Sequence, residues 1–361
     1  MHAYRELVHR CIDWGRIRSR LSRYPAIARH FPESVLKSCS DQPPYYCHYM
    51  AWRLGTWLTE IYPENMERML SAASLIDNWQ QEFRQHQNSC DFSKYWSLLW
   101  QMQVADFFKT RGARLSWNPA GPDLSVEDLE GQFFVECYAY QKSYPIEEFI
   151  HEVLRCVDER IRVEHRAYLP FSLPKNGTTA GFLDELFQSF LKPGSVDQAL
   201  QAAARCWPHL FPVPSGAENF FVYIEGPSDA YQPGVLPNYT GDPPSYLQDC
   251  ISKAIGNKQD KNKLATHRPN LLAVNCLLSD EFFMAEQRQK ELSERIPEPD
   301  LGSNLDAVLF TSTGVDKPLS QVNICSRSEI HPVVAWLQRN GLIESEAARK
   351  TRETHSHTPD R

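Results

Sequence analysis

Several signals are missing from this 361-residue chain, and each absence removes a class of function. No segment reaches the ~18 uninterrupted apolar residues that span a bilayer, and residues 1–20 mix charges without an apolar stretch. The expectation is a cytoplasmic protein with no membrane partner. No CxxC pair occurs among the ten cysteines, which removes zinc-ribbon and redox-motif chemistry. Several cysteines sit inside apolar runs, as in Phe134-Val135-Glu136-Cys137 and Val274-Asn275-Cys276-Leu277, where buried reduced thiols are expected. GxSxG, GxxxxGK[ST] and HExxH are all absent, so the common serine-hydrolase, P-loop and zinc-protease sites are not available. Net positive charge is also lacking. At −7 the chain has no global attraction to phosphate, and binding nucleic acid would require a local basic face.

What is present is apolar material for a core: 42% hydrophobic residues, with nine Trp, fifteen Tyr and eighteen Phe. That is enough for one large domain or two ordinary ones. Residues 1–90 carry apolar side chains at three- and four-residue spacing, most clearly over 51–58 and 66–83, and read as a helical N-terminal region. The adjacent Cys47 and His48 have no second ligand pair nearby and read as packing residues. From 91 the pattern changes. A helix over 93–111 precedes strands at 113–117, 123–126 and 132–140, the last two joined by a hairpin turn at Glu130-Gly131. Beyond them a helix at 145–158, strand 161–169, helix 179–191, strand 219–225, helix 245–264, strand 270–276, helix 280–295 and strand 305–310 alternate. This predicts an α/β sheet covered by helices. Residues 346–361 read as a loose tail.

Asp123 and Glu136 are the residues that invite chemistry. They lie on strands folded together by the hairpin, yet counting from Glu130-Gly131 puts them out of direct register, about seven residues before the turn and five after it. Their carboxylates still fall within reach of one cation. Two carboxylates suit a hard, oxygen-seeking ion such as Mg²⁺ or Mn²⁺, which activates water and clamps a phosphodiester. An Asp after Gly-Pro is commonly a turn former, whereas a Glu inside an apolar strand is costly unless paired or metal-bound.

The order of helix, strand, Gly121-Pro122-Asp123-Leu124, hairpin and Phe134-Val135-Glu136-Cys137-Tyr138 resembles the core of the PD-(D/E)XK nuclease superfamily. The resemblance covers roughly forty residues, from about Gln101 to Lys142. It implies a restriction endonuclease-like mixed sheet flanked by helices over 91–345, behind the helical region 1–90. It also implies metal-dependent hydrolysis of phosphodiester bonds, in DNA rather than RNA. Asp123 and Glu136 would be the metal carboxylates, with the Cys137 carbonyl as a third ligand. Two positions depart from the pattern. Tyr138 stands where the lysine belongs, and the preceding helix offers Gln101 and Gln103 rather than an acid, either of which would orient the attacking water. A phenol with an ordinary pKa near ~10 is a poor base, though it orients water. Lys142 has the parity to replace the lysine, but six residues of extended strand span ~20 Å, so the chain would have to bend back.

Lys253, Lys258, Lys261 and Lys263, followed by His267 and Arg268, form a basic helix suited either to phosphate contact or to simple solvation. Three readings stay open: a nuclease, a nuclease-fold protein that binds nucleic acid or scaffolds an assembly, and an unrelated α/β protein whose Asp123 and Glu136 are far apart. The helical N-terminal region is the candidate surface for a protein partner.

Overall fold

Apolar residues at helical spacing fold the N-terminal ninety residues into α1 (Arg5–Cys11), α2 (Trp14–Arg23), α3 (Pro25–His30), α4 (Glu33–Lys37), α5 (Tyr49–Thr56), α6 (Ile61–Ala73) and α7 (Trp79–Gln87). The computed structural model describes residues 4–118, 121–129, 131–140, 144–165, 178–214, 220–233, 243–260, 264, 269–276, 301, 304–311, 319, 322–326 and 331–343. Asp91 starts the next helix, α8 (Phe92–Lys109), by accepting the Ser93 N–H at 2.9 Å. Gly112, at φ +82°, closes it, with the Ala113 N–H bonded to the Phe108 carbonyl at 3.2 Å.

The elements that follow are β1 (Arg114–Trp117), β2 (Leu124–Asp128), β3 (Gly131–Ala139), α9 (Tyr144–Arg155), β4 (Ile161–His165), α10 (Thr179–Leu191), α11 (Ser195–Ala203), β5 (His209–Leu210) and β6 (Phe220–Ile224). After these come α12 (Pro243–Asp260), β7 (Asn270–Asn275), β8 (Ala307–Thr311), β9 (Asn323–Ser326) and α13 (Pro332–Arg339). The expected helix at 280–295 and the tail at 346–361 lie outside the described residues.

The strands do not join one sheet, as uniform alternation had suggested. Six of them form a mixed sheet in the order β1-β2-β3-β7-β8-β9, while β4-β6-β5 make a separate antiparallel sheet. Local alternation says that a strand forms, but not which neighbour it takes. The chain correspondingly divides into two compact units. One comprises Met1–Ser71, Phe83–Leu99 and Gln141–Tyr246, and the other Ala72–Glu82, Trp100–Tyr140 and Leu247–Arg361.

In the second unit β1, β2 and β3 form an antiparallel meander, and β3 pairs parallel with β7, which pairs parallel with β8. Every residue of β7 and β8 is buried, the signature of central strands covered on both faces. The two covers follow from strand parity. On the odd-numbered face of β3, Phe133 meets Phe108 of α8 and Trp336 of α13, with ring centroids 5.8 and 6.1 Å away. On the even-numbered face lies α12, the crossover helix that parallel β3 and β7 require.

The first unit has an aromatic core in which Tyr45, Trp52 and Phe149 gather around Phe92. Buried Arg53 there pairs with Glu148 and, at 3.7 Å, with Glu152. Cys39 and Cys90 form a disulfide across 51 residues, a pairing the sequence did not announce. Cys47, Cys137, Cys250 and Cys276 are buried free thiols. No described helix is long and apolar enough to cross a membrane.

His48 is indeed structural. Its Nδ1 accepts the Met50 N–H at 3.1 Å and so caps α5, leaving the ring proton on Nε2, which donates to the Gln87 carbonyl at 3.0 Å. Burial lowers its pKa from 6.5 to about 4, because a charged imidazolium would be desolvated. Above pH 6.5 the ring is neutral both folded and unfolded. Between 6.5 and 4 only the unfolded chain takes up the proton. Stability is therefore expected to fall as pH drops through this window, by about 3 kcal/mol from this residue. Urea titrations at successive pH values should show a shallower loss for His48→Gln.

Candidate active site

The hairpin places Asp123 and Glu136 directly opposite each other. Leu124 pairs with Val135 and Asp128 with Gly131, and continuing this register by one step sets Asp123 against Glu136. The offset inferred from the sequence came from centring the turn one residue too late. Asp123 immediately precedes β2 rather than lying within it. Its side chain turns across to β3, where Oδ2 accepts the Cys137 N–H at 2.7 Å. Glu136 Oε2 in return accepts the Asp123 N–H at 3.2 Å. Two acidic side chains are thus laced together through each other's strands, so they are not far apart.

Glu136 has no solvent exposure, and a carboxylate so placed requires compensation. Lys258 of α12 supplies it, bonding its ammonium to Glu136 Oε1. The sequence left this lysine either to phosphate contact or to simple solvation; its side chain is 11% exposed and turned inward, so it is not part of a solvated face. The signal for this was present. Ile251, Ala254 and Ile255 are buried, and Lys258 continues their spacing at i+7, i+4 and i+3. A lysine on the apolar stripe of a crossover helix points at the sheet.

Gln101 of α8 completes the group, its Nε2 donating to Asp123 Oδ1 at 3.0 Å. Its own Oε1 is buried and lacks a hydrogen-bond partner among the described residues. Gln103, two residues on, is fully buried and projects roughly 200° around the helix from Gln101.

Tyr138 lies on the Glu136 face, with the Lys258 ammonium 5.7 Å from its ring centre. Desolvation raises its phenol pKa, with neighbouring Tyr140 and Cys250 adding to the effect, so it stays protonated and serves as a donor rather than a base. Lys253 bonds Tyr140 Oη at 3.3 Å. Cys137 is buried. Lys142, Lys261, Lys263 and Arg268 lie outside the described residues.

Among the described residues no three His, Cys, Asp or Glu side chains gather as a metal-binding group. Mg²⁺ is commonly held by one or two carboxylates with water filling the remaining positions. Asp123 and Glu136 are two carboxylates of that kind, and the orphaned Gln101 Oε1 beside them is an oxygen acceptor for one such water. The residues present therefore fit a divalent ion.

The ion pair generates a stability prediction. Lys258→Met keeps the length of the side chain but strands the Glu136 carboxylate, and should cost about 3–5 kcal/mol in urea denaturation. Adding Glu136→Gln should recover most of that loss, since the stranded charge and not lost packing is its source. Compared with family models, with curated proteins and with solved structures, the chain matches none.

Proposed function

We propose that the chain is a metal-dependent nuclease of the PD-(D/E)XK kind, hydrolysing phosphodiester bonds in DNA. In this reading the six-stranded mixed sheet is its restriction endonuclease-like core, and Lys258 does the work of the lysine that Tyr138 displaces. The observation that supports it is the convergence of Asp123, Glu136, Lys258 and Gln101 at one end of the β2–β3 hairpin. Lysine, two carboxylates and an amide oxygen are the side chains such a hydrolysis uses, drawn here from two helices and a hairpin.

A divalent ion held by Asp123 and Glu136 would lower the pKa of a bound water and polarise the phosphate. The chain's own residues do the rest. Gln101 Oε1 accepts a hydrogen bond from the attacking water and so orients it. Lys258 places its ammonium where negative charge builds on the phosphoryl oxygens. The water oxygen bonds to phosphorus as the bond from phosphorus to the leaving sugar oxygen breaks; the water gives its proton up to solvent and the leaving sugar oxygen takes one from solvent.

A second reading has its own support. Lys258 already neutralises one carboxylate, leaving the trio with a single net negative charge and a weakened hold on a cation. A nuclease fold so neutralised would bind or scaffold nucleic acid without cutting it.

Cleavage of plasmid and single-stranded DNA, with Mg²⁺ or Mn²⁺ against EDTA, separates the two. The expected result is metal-dependent cutting that falls at least about 100-fold in Asp123→Asn, Glu136→Gln and Lys258→Met. Circular dichroism would confirm that each variant is folded. Wild-type protein that binds DNA without cutting it would favour the second reading.

A further inference from the structure

Beyond Glu136 the same face of β3 carries a feature that phosphodiester hydrolysis does not use. Residues 136 and 138 share one side of β3, and Tyr140, the first residue after it, continues the ladder through its N–H to the Asn275 carbonyl at 2.9 Å, so Tyr138 and Tyr140 stand about 7 and 13 Å from Glu136 along the chain. Both rings are partly exposed. Exposed Lys253 bonds the Tyr140 hydroxyl at 3.3 Å and stands 5.9 Å from the ring centre.

The spacing of the rings is informative. Their centroids are 6.5 Å apart and their planes are inclined by 50°. Stacked nucleotides in a duplex rise only about 3.4 Å per step. Successive bases of a duplex strand therefore cannot each lie on one of these rings. A strand free of its complement can separate and tilt its bases to do so, because its backbone is not held by pairing. The strip also runs to the carboxyl end of β3, beside parallel β7, the end at which sheets of this kind meet their ligands.

We propose that Tyr138, Tyr140 and Lys253 form a stacking track for unpaired nucleotides beside the scissile phosphate, making single-stranded DNA or a single-stranded branch the preferred substrate. The assignment of substrate rests on the nuclease reading; the stacking itself does not. Each tyrosine offers a ring face to one base, and Lys253 offers its ammonium to the phosphate that follows. Burial keeps the Tyr140 phenol neutral, chiefly through desolvation, so no phenolate there repels the strand. The bond to Tyr140 raises the Lys253 pKa and keeps the ammonium charged.

The test is fluorescence anisotropy of a labelled oligothymidine and of a duplex of equal length, with EDTA present so that no cutting intervenes. Wild type should prefer the single strand. Tyr140→Leu should weaken single-strand binding roughly tenfold or more, and Lys253→Ala should weaken it and reduce its salt dependence. Tyr140→Phe should retain the affinity because it keeps the ring. Duplex affinity should change little in all three. Equal affinity for the two DNAs, or no loss in Tyr140→Leu, would overturn the track. Because binding is read without metal, a chain that binds single strands but never cuts would retain the track and lose the nuclease. One that cuts DNA with no contribution from Tyr140 would do the reverse.

Discussion

A carboxylate sealed from solvent must be answered by charge and hydrogen bonds within contact distance, and at Glu136 that demand organises the surrounding structure. Its answer comes from Lys258, 122 residues away, and from the Asp123 N–H on the facing strand. To meet it, α12 must lie across the even-numbered face of β3 and the β2–β3 hairpin must hold its register. Replacing such a pair with apolar residues is often neutral or stabilising, so its presence is not explained by stability alone.

The surrounding architecture supplies the rigidity. β7 and β8 are buried along their whole length, and the Trp100 indole bonds the Ala273 carbonyl at 3.1 Å, tying the start of this unit's share of α8 to the sheet. The group that Gln101 joins thus rests on a helix, a hairpin and a crossover helix, each fixed by the core. Side chains so supported keep their geometry without a ligand to shape them.

How much of this was legible depended on the range of the signal. The helix over 179–191 matches α10 end to end, and the helix ending near Gly112 and the three strands after it are present, because caps, turns and apolar periodicity act over a few residues. The pairing of Asp123 with Glu136 was missed by counting. A turn centred one residue too late shifts the cross-strand partner by two. That β4 and β6 form their own sheet was hidden, since a buried strand reads the same whichever neighbour it takes. The Cys39–Cys90 bridge carried no spacing signal. Lys258 lay between these cases: its inward direction was written in the stripe of Ile251, Ala254 and Ile255, but its partner was not.

The distance along the chain between β3 and its neighbour has a consequence during synthesis. Phe134 pairs with Asn270, and everything between them must leave the ribosome before the parallel ladder can close. At ordinary elongation rates the 122 residues from Glu136 to Lys258 take on the order of ten seconds to make. Throughout that interval the nascent hairpin carries two neighbouring carboxylates and no ammonium between them. The cluster is therefore assembled by translation in a fixed order, acids first and ammonium last, and a chain released early would hold the carboxylates without their counter-charge.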